Sequence, residues 1–514
     1  MSVDPGARRW WAVGALVLAS LVVGFDVTIL SLALPAMADD LGAGNAQLQW
    51  FVTSYTLVFA AGMIPAGVLG DRHGRKKVLL AALVIFGLAS LACACAASPG
   101  VFIAARAVLG LGAALIMPTT LSLLPVMFSE EERPKAIGAV AGAAMLAYPL
   151  GPILGGFLLH HFWWGAVFLI NVPVVVLAFL AVSAWLPESK ASRAARAGRF
   201  DVGGLVFSSA GLAAMTYGVI QGGEKGWTDV STLAPLLGGL LAVVAFVLWE
   251  KRAADPLVDL SLFHSARFTS GTLLGTVVNF TMFGVLFTMP QYYQAILGTD
   301  AMGSGFRLLP MVGGLLVGIS LAGRIAGAVG PKAAVALGFA LLAAALFYGA
   351  TTDTGSGTGL AAAWTAAYGL GLGFALPTAM DAALGELSAE SAGVGSAVNQ
   401  SVRTLGGSFG AAVLGSVLNS GYRGGLDVGD LPPRARDAAQ DSVFGGLAVA
   451  RAVKSPELAD RVGSAFVHGL DAVLVVSAGL GLLGALLAAV LLPRRVGDRA
   501  TEPAESEHEA ADAA

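Results

Sequence analysis

Fourteen apolar stretches, each long enough to cross a bilayer, follow one another along this chain of 514 residues. Crossing the ~30 Å hydrocarbon layer takes roughly 20 apolar residues as a helix. The stretches fall at 10–36, 47–70, 78–98, 101–127, 136–159, 163–186, 202–222, 231–249, 268–296, 303–328, 332–351, 359–384, 394–420 and 464–492. A lipid-spanning backbone must satisfy its own N–H and C=O groups, so each predicts a helix. Only 12% of the residues are charged and 56% are hydrophobic, where a soluble domain carries about 25% charge. The expected fold class is therefore an all-α polytopic membrane protein. The 68 glycines show no collagen period, and a net charge of −3 offers no basic surface to nucleic acid.

Arg8-Arg9 ahead of the first apolar run, with Ala36-Met37-Ala38 after it, has the outline of a signal peptide. The run is too long and contains Asp26, which favours an uncleaved first helix. Basic residues assign orientation, because they concentrate on cytoplasmic loops. With the N-terminus inside, Arg8, Arg9, Arg72, Arg75, Lys76, Lys77, Arg133, Lys135, Lys251, Arg252, Arg324 and Lys332 all fall on inner ends or loops. Both termini are then cytoplasmic. The segment 187–200 reads as a basic inner linker suited to anionic lipid. The segment 421–462 reads as a polar, partly helical outer loop, and 493–514 as a disordered acidic tail.

A repeat organises the rest. GVLGDRHGRKK (67–77) and AGRIAGAVGPK (322–332) align at an offset of 256, which also carries Gly151 of GPILGG to Gly407 of GGSFGA. The expected organisation is a six-helix half over 1–186, a linker with two extra helices over 187–265, and a second six-helix half over 266–492. Two homologous halves are a common plan of secondary transporters, with the substrate site between them near the midplane.

Several motifs sharpen this: LVVGFDVTILSLALP in helix 1, GVLGDRHGRKK between helices 2 and 3, RAVLGLGAA in helix 4, AYPLGPILGG in helix 5, FLINVP in helix 6 and PQYYQAILG in helix 9. Across almost its whole length the chain resembles a major facilitator superfamily transporter of the fourteen-helix drug:proton antiporter type. Two positions depart from the usual pattern, Gly165 in place of an Arg and Leu109 in place of a Gln. The resemblance implies proton-coupled efflux of lipophilic drugs or antibiotics across a bacterial cytoplasmic membrane. The partners implied are protons, lipid and a lipophilic small molecule, with no cofactor beyond the proton gradient. One chain supplies both halves, so a monomer suffices. The alternative is a dedicated exporter of one endogenous solute, such as a secondary metabolite, lipid precursor or siderophore.

Gly67, Asp71, Arg72, Gly74, Arg75 and Lys76 form the loop 2–3 motif. The resemblance implies that Asp71 faces the inner start of helix 13, near Gly393 to Gly395, and latches the halves together. The other reading is a basic loop that only sets topology. Gly151, Pro152, Gly155 and Gly156 make helix 5 smooth and bendable, and the resemblance implies that they seal the interface against leak.

Asp26 lies about 13 Å from the outer end of helix 1 at 1.5 Å per residue, and Arg106 lies at a similar depth in helix 4. A carboxylate at such depth is costly unless neutral or paired. The offset carries Asp26 to Met282 and Arg106 to Ala362, so the second half dispenses with both charges. Burial and a nearby guanidinium act oppositely on a carboxylate's protonation. The pair can therefore serve proton coupling, or act as an ion pair that only fixes helices 1 and 4. Asp381 in helix 12 is a second candidate for proton coupling or for a cationic substrate, with Arg403 as a possible partner. Tyr55, Tyr148, Asn279, Gln291, Tyr292 and Gln294 are candidate substrate contacts, each open also to a packing role. Nothing predicts catalysis or a metal: there is no phosphate-binding loop, Cys93 and Cys95 lie in an apolar run, and the histidines are scattered.

Overall fold

The computed structural model describes residues 5–492 except 44, 130, 190–200, 254, 255, 259, 386, 388–391, 429 and 430. The side chains of a few helical residues, Tyr148 among them, also lie outside the description, as do most of the expected basic linker and the whole acidic tail. Sixteen α-helices are described, besides a 3₁₀ helix at Leu260–His264. They are α1 (Pro5–Leu41), α2 (Asn45–His73), α3 (Arg75–Ala94), α4 (Pro99–Met127), α5 (Arg133–His161), α6 (Ala166–Trp185, interrupted at Ile170), α7 (Val202–Lys225) and α8 (Val230–Glu250). After these come α9 (Ala266–Gln291, continued by a π turn Tyr292–Ile296), α10 (Ala301–Val329), α11 (Pro331–Gly349), α12 (Thr358–Leu384), α13 (Ala392–Gly425), α14 (Pro433–Asp441), α15 (Val443–Ala452) and α16 (Pro456–Leu491). The fourteen predicted helices are α1 to α13 and α16.

Thirteen of them are long and apolar enough to cross a membrane. The exception is α13, which at 34 residues has the length but carries Asn399, Gln400, Ser401, Arg403, Thr404 and Ser408. The expected outer loop 421–462 is shorter than read, because α13 continues to Gly425 and α16 starts at Pro456. That start follows local chemistry: Ser455 Oγ accepts the Leu458 N–H at 3.2 Å, and proline occupies the first helical position. Such a polar first turn is invisible to a search for apolar runs.

The offset of 256 is a structural repeat. In the first half α1 packs on α5 and α6, and α4 on α2 and α3; in the second half α9 packs on α13 and α16, and α12 on α10 and α11. The halves meet along two seams that are equivalent under this correspondence, α2 with α13 and α5 with α10. Gly74 and Gly330, the residues first aligned, have φ of +108° and +87° and stand at the starts of α3 and α11. Only glycine adopts that region without strain, which is why the repeat is most legible there. The extra pair α7 and α8 pack on each other, and α7 lies against both α2 and α13. Leu177, Leu180, Leu241 and Leu486 are exposed on the outside of the bundle, as a hydrocarbon solvent permits.

Candidate functional site

The end of the bundle carrying Gly74 is termed inner. There Asp71, at the end of α2, accepts two hydrogen bonds from Arg75, at 2.6 Å from Nη2 and 3.1 Å from Nε. It also accepts the backbone N–H groups of Gly393 and Val394, at 3.1 and 3.0 Å. These belong to the first turn of α13, where N–H groups lack helical partners and the macrodipole favours an anion. The approach is close because Gly67 has no side chain: a methyl there would lie 2.6 Å from Gly393 O. Arg75 is fully buried, with its N–H on Ser189 O at 2.7 Å and Nη1 on Ser189 Oγ at 3.0 Å. Lys76 Nζ reaches Ser183 O at 2.8 Å, while Arg72 is half-buried. The motif residues thus join α2 and α3 to the end of α6 and to the second half.

A second interhalf contact lies at the same end. Asp381 near the end of α12 pairs with Arg133 Nη1 at the start of α5, at 3.5 Å. Arg403, the possible partner read from the sequence, contacts Met380 and Gln400 instead, so that pairing is corrected. Asp381 follows Met380, but successive residues of a helix point about 100° apart; Met380 faces the space between the halves and Asp381 faces α5.

Asp26 and Arg106 do meet. Arg106 Nη1 donates to Asp26 Oδ2 at 2.5 Å, Nε donates to Phe51 O at 2.9 Å, and the guanidinium carbon lies 4.4 Å from the Tyr55 ring centroid. Exposure is 3% for Asp26 and 1% for Arg106. Asp26 Oδ1 has no hydrogen-bond partner among the described residues. Phe51, Phe102, Trp164 and Phe168 pack beside the pair, and Trp164 Nε1 donates to Asp40 Oδ2 at 2.6 Å.

Between the halves lies a cavity of about 290 Å³. Its walls come from α1 (Ser20, Val23, Gly24), α2 (Tyr55, Thr56, Phe59), α4, α5, α9 (Asn279, Met282, Phe283), α12 (Leu376, Met380) and α13 (Gln400, Arg403, Thr404, Ser408). Thr56, Phe283 and Ser408 also line a wider vestibule of about 1200 Å³ toward the outer end, bounded by α1, α2, α7, α9, α13, α16 and the start of α15. Among the candidate contacts, Tyr55 and Asn279 face the cavity and Gln291 faces the vestibule.

Tyr292 is not in either space. It is fully buried, with its hydroxyl on the carbonyls of Ser356 and Asp353 at 3.4 and 3.5 Å. Gln294 lies in the π turn and lines neither space. The π turn rotates these side chains off the register that an uninterrupted helix gives, which the sequence did not signal. The Tyr148 side chain lies outside the described residues. In α5, Gly151 and Gly155 are buried, and Pro152 and Gly156 half-buried. A methyl on Gly155 would lie 3.0 Å from Leu32 of α1, and one on Gly156 would lie 3.8 Å from Met302 of α10. The motif therefore supports two helix contacts, one within its half and one across the seam.

Sequence reasoning missed Gln400, Thr404 and Ser408. Their spacing of four residues is a polar stripe on one helical face, and that signal was present in the α13 sequence.

Two pseudo-symmetric six-helix halves around one central cavity, held at one end by a loop 2–3 motif, define a polytopic transporter. The chain belongs to the Major Facilitator Superfamily, whose profile matches residues 16–411. It is 34% identical over 513 residues to the tetracenomycin C resistance and export protein of Streptomyces glaucescens, covering 96% of this chain and 94% of that one. It is 31% identical over 497 residues to the multidrug efflux pump LfrA of Mycolicibacterium smegmatis, covering 95% and 97%. The structure resembles that of the proton:xylose symporter XylE bound to 6-bromo-6-deoxy-D-glucose, with a TM-score of 0.60, 15% identity, and coverage of 94% and 95%. At that identity the likeness shows the fold alone. The family expected from the motifs holds.

Proposed function

We propose that this protein expels lipophilic small molecules across a bacterial cytoplasmic membrane in exchange for protons, working by alternating access as a single chain with both termini inside. The observation that carries the reading is the asymmetry of the two ends. Asp71 and Arg133 tie the halves together at the inner end, while the central cavity shares its wall with a vestibule toward the outer one. That is the arrangement of a transporter poised to release its load outside. The names of the relatives, a resistance and export protein and a multidrug efflux pump, support the direction and the kind of load. Asp26 is the proton carrier in this reading. It is a buried carboxylate on a single cation, with one oxygen lacking a partner, so protonation needs only that the Arg106 contact loosen when access changes.

A second reading, export of one dedicated solute, is favoured by a specific observation. One of the relatives aligned over nearly the full length of both chains is named for a single compound, tetracenomycin C. Everted vesicles or proteoliposomes under an imposed pH gradient test both. The panel holds tetracenomycin C, neutral antibiotics and lipophilic dyes, with Asp26→Asn as comparison. Gradient-driven uptake of several members, lost in Asp26→Asn while binding persists, supports proton-coupled multidrug efflux. Uptake of one member alone supports the dedicated reading. No uptake of any member by folded protein overturns the first.

A further inference from the structure

The central cavity holds one ionised side chain, and it is a cation. Arg403 of α13 is 7% exposed and lines the cavity, which among the described residues has no aspartate or glutamate in its wall. No carboxylate lies within ion-pair distance of Arg403 among the described residues. Its contacts are neutral and weak, Met380 Sδ at 3.2 Å and Gln400 Oε1 at 3.4 Å, and its Nε has no partner. An isolated charge so far from water is costly, and charges within a membrane ordinarily face a cavity or a partner.

The surroundings accommodate it. A methyl on Gly275 of α9 would lie 3.1 Å from Arg403 Cδ and 3.2 Å from Nε, so the missing side chain is what lets the guanidinium lie there. At the offset of 256, Arg403 corresponds to Ala147, which packs against Gly24 of α1. One half uses this position for close helix packing and the other for a charge, so the fold itself has no need of the charge. Gln400 and Thr404 on α13 and Asn279 on α9 add amide and hydroxyl groups to the same wall.

We propose that Arg403 recognises an anion, and that the compound taken into this cavity is a lipophilic molecule bearing one ionised acidic group, a carboxylate or a phenolate. A guanidinium pairs with a carboxylate through two parallel N–H donors, a geometry that a lysine cannot reproduce, and donates to the single oxygen of a phenolate. The apolar remainder of the wall, with Phe59, Met282 and Leu376, takes the hydrocarbon body. That the bound compound is also transported rests on the efflux reading; the binding preference does not.

The test uses three probes that share one aromatic body: 1-pyrenebutanoate, the neutral 1-pyrenebutanol and the cationic pyrenebutyl-trimethylammonium. Binding to the purified full chain is measured by equilibrium dialysis against matched empty micelles, with no gradient present. The anion should bind about tenfold tighter than the alcohol, the scale of one charge-assisted contact. Arg403→Gln should bring that ratio to about one without lowering Tm, since it removes an uncompensated charge. Arg403→Lys should restore part of the ratio, and Gly275→Ala, which displaces the guanidinium, should reduce it. Equal binding of anion and alcohol by the wild type, preference for the cation, no binding of the anion, or an unchanged ratio in folded Arg403→Gln would each overturn the proposal. Transport of the same probes under a pH gradient separates the two readings. An Arg403-dependent preference in binding without transport sinks efflux alone, while transport without that preference sinks the anion site alone.

Discussion

Asp71 and Gly393 stand 322 residues apart in the chain, yet the carboxylate of one accepts the backbone N–H of the other at 3.1 Å. A side chain of the first half thus caps the first turn of α13 in the second. The contact exists only while the halves are closed at this end, so its strength bears directly on the balance between the two access states.

Asp71→Asn keeps the shape and removes the charge facing the helix start. The expected loss is about 1–2 kcal/mol, which moves the equilibrium roughly tenfold toward the form open at the inner end. Spin-label distances between the ends of α2 and α13 check it; an unchanged distribution would show that the contact does not set the balance.

Gly67→Leu acts on the same contact by bulk. Even a methyl at this position would lie 2.6 Å from Gly393 O and 2.8 Å from Ala397 Cβ, so a larger side chain holds the ends apart. Transport should fall severely while the Tm drops by only a few degrees. Normal transport would mean that α2 and α13 shift freely to make room.

For the buried pair, the double change should cost less than the single one. Arg106→Met leaves Asp26 buried beside no cation and should cost about 3–5 kcal/mol, a heavy loss of Tm. The double change Asp26→Asn with Arg106→Met should recover much of that Tm and stay inactive in gradient-driven transport. Recovery of transport as well would assign the pair a purely structural role.

The Arg133 and Asp381 contact is longer, 3.5 Å, with the Asp381 side chain 24% exposed. Its removal in Asp381→Asn should cost less than about 1 kcal/mol of stability. Because it spans the halves, it should still raise labelling of cysteines placed at the inner ends. Charge reversal at both positions together should return labelling toward the wild-type level. Labelling equal in all variants would remove this pair from the gate.

Much of this architecture could be read from the sequence because a membrane imposes few solutions. Long apolar runs become helices, and Gly74 with Gly330 marks the repeat through a backbone conformation that only glycine takes without strain. Asp26 and Arg106 were pairable by depth alone. The partner of Asp381 was not, because facing depends on helix rotation and both Arg133 and Arg403 were within reach of a sequence argument. Tyr292 and Gln294 were misplaced for a related reason: the π turn shifts register without any compositional mark. That Arg403 lines the cavity depends on the same helix rotation, which its place in the sequence does not give.

The pair α7 and α8 removes the equivalence of the two seams. Among the described residues the extra pair packs not along α5 and α10 but only on the α2 and α13 side, with Trp227 Nε1 donating to Ser416 Oγ at 3.0 Å as a clasp. Val219, Ile220 and Gly223 of α7 form part of the vestibule wall on that flank. A molecule dissolved in the outer leaflet therefore meets two different flanks, one faced by the extra pair and the other not. The two flanks of the transporter are thus unlike as surfaces, although the halves that build them repeat one plan.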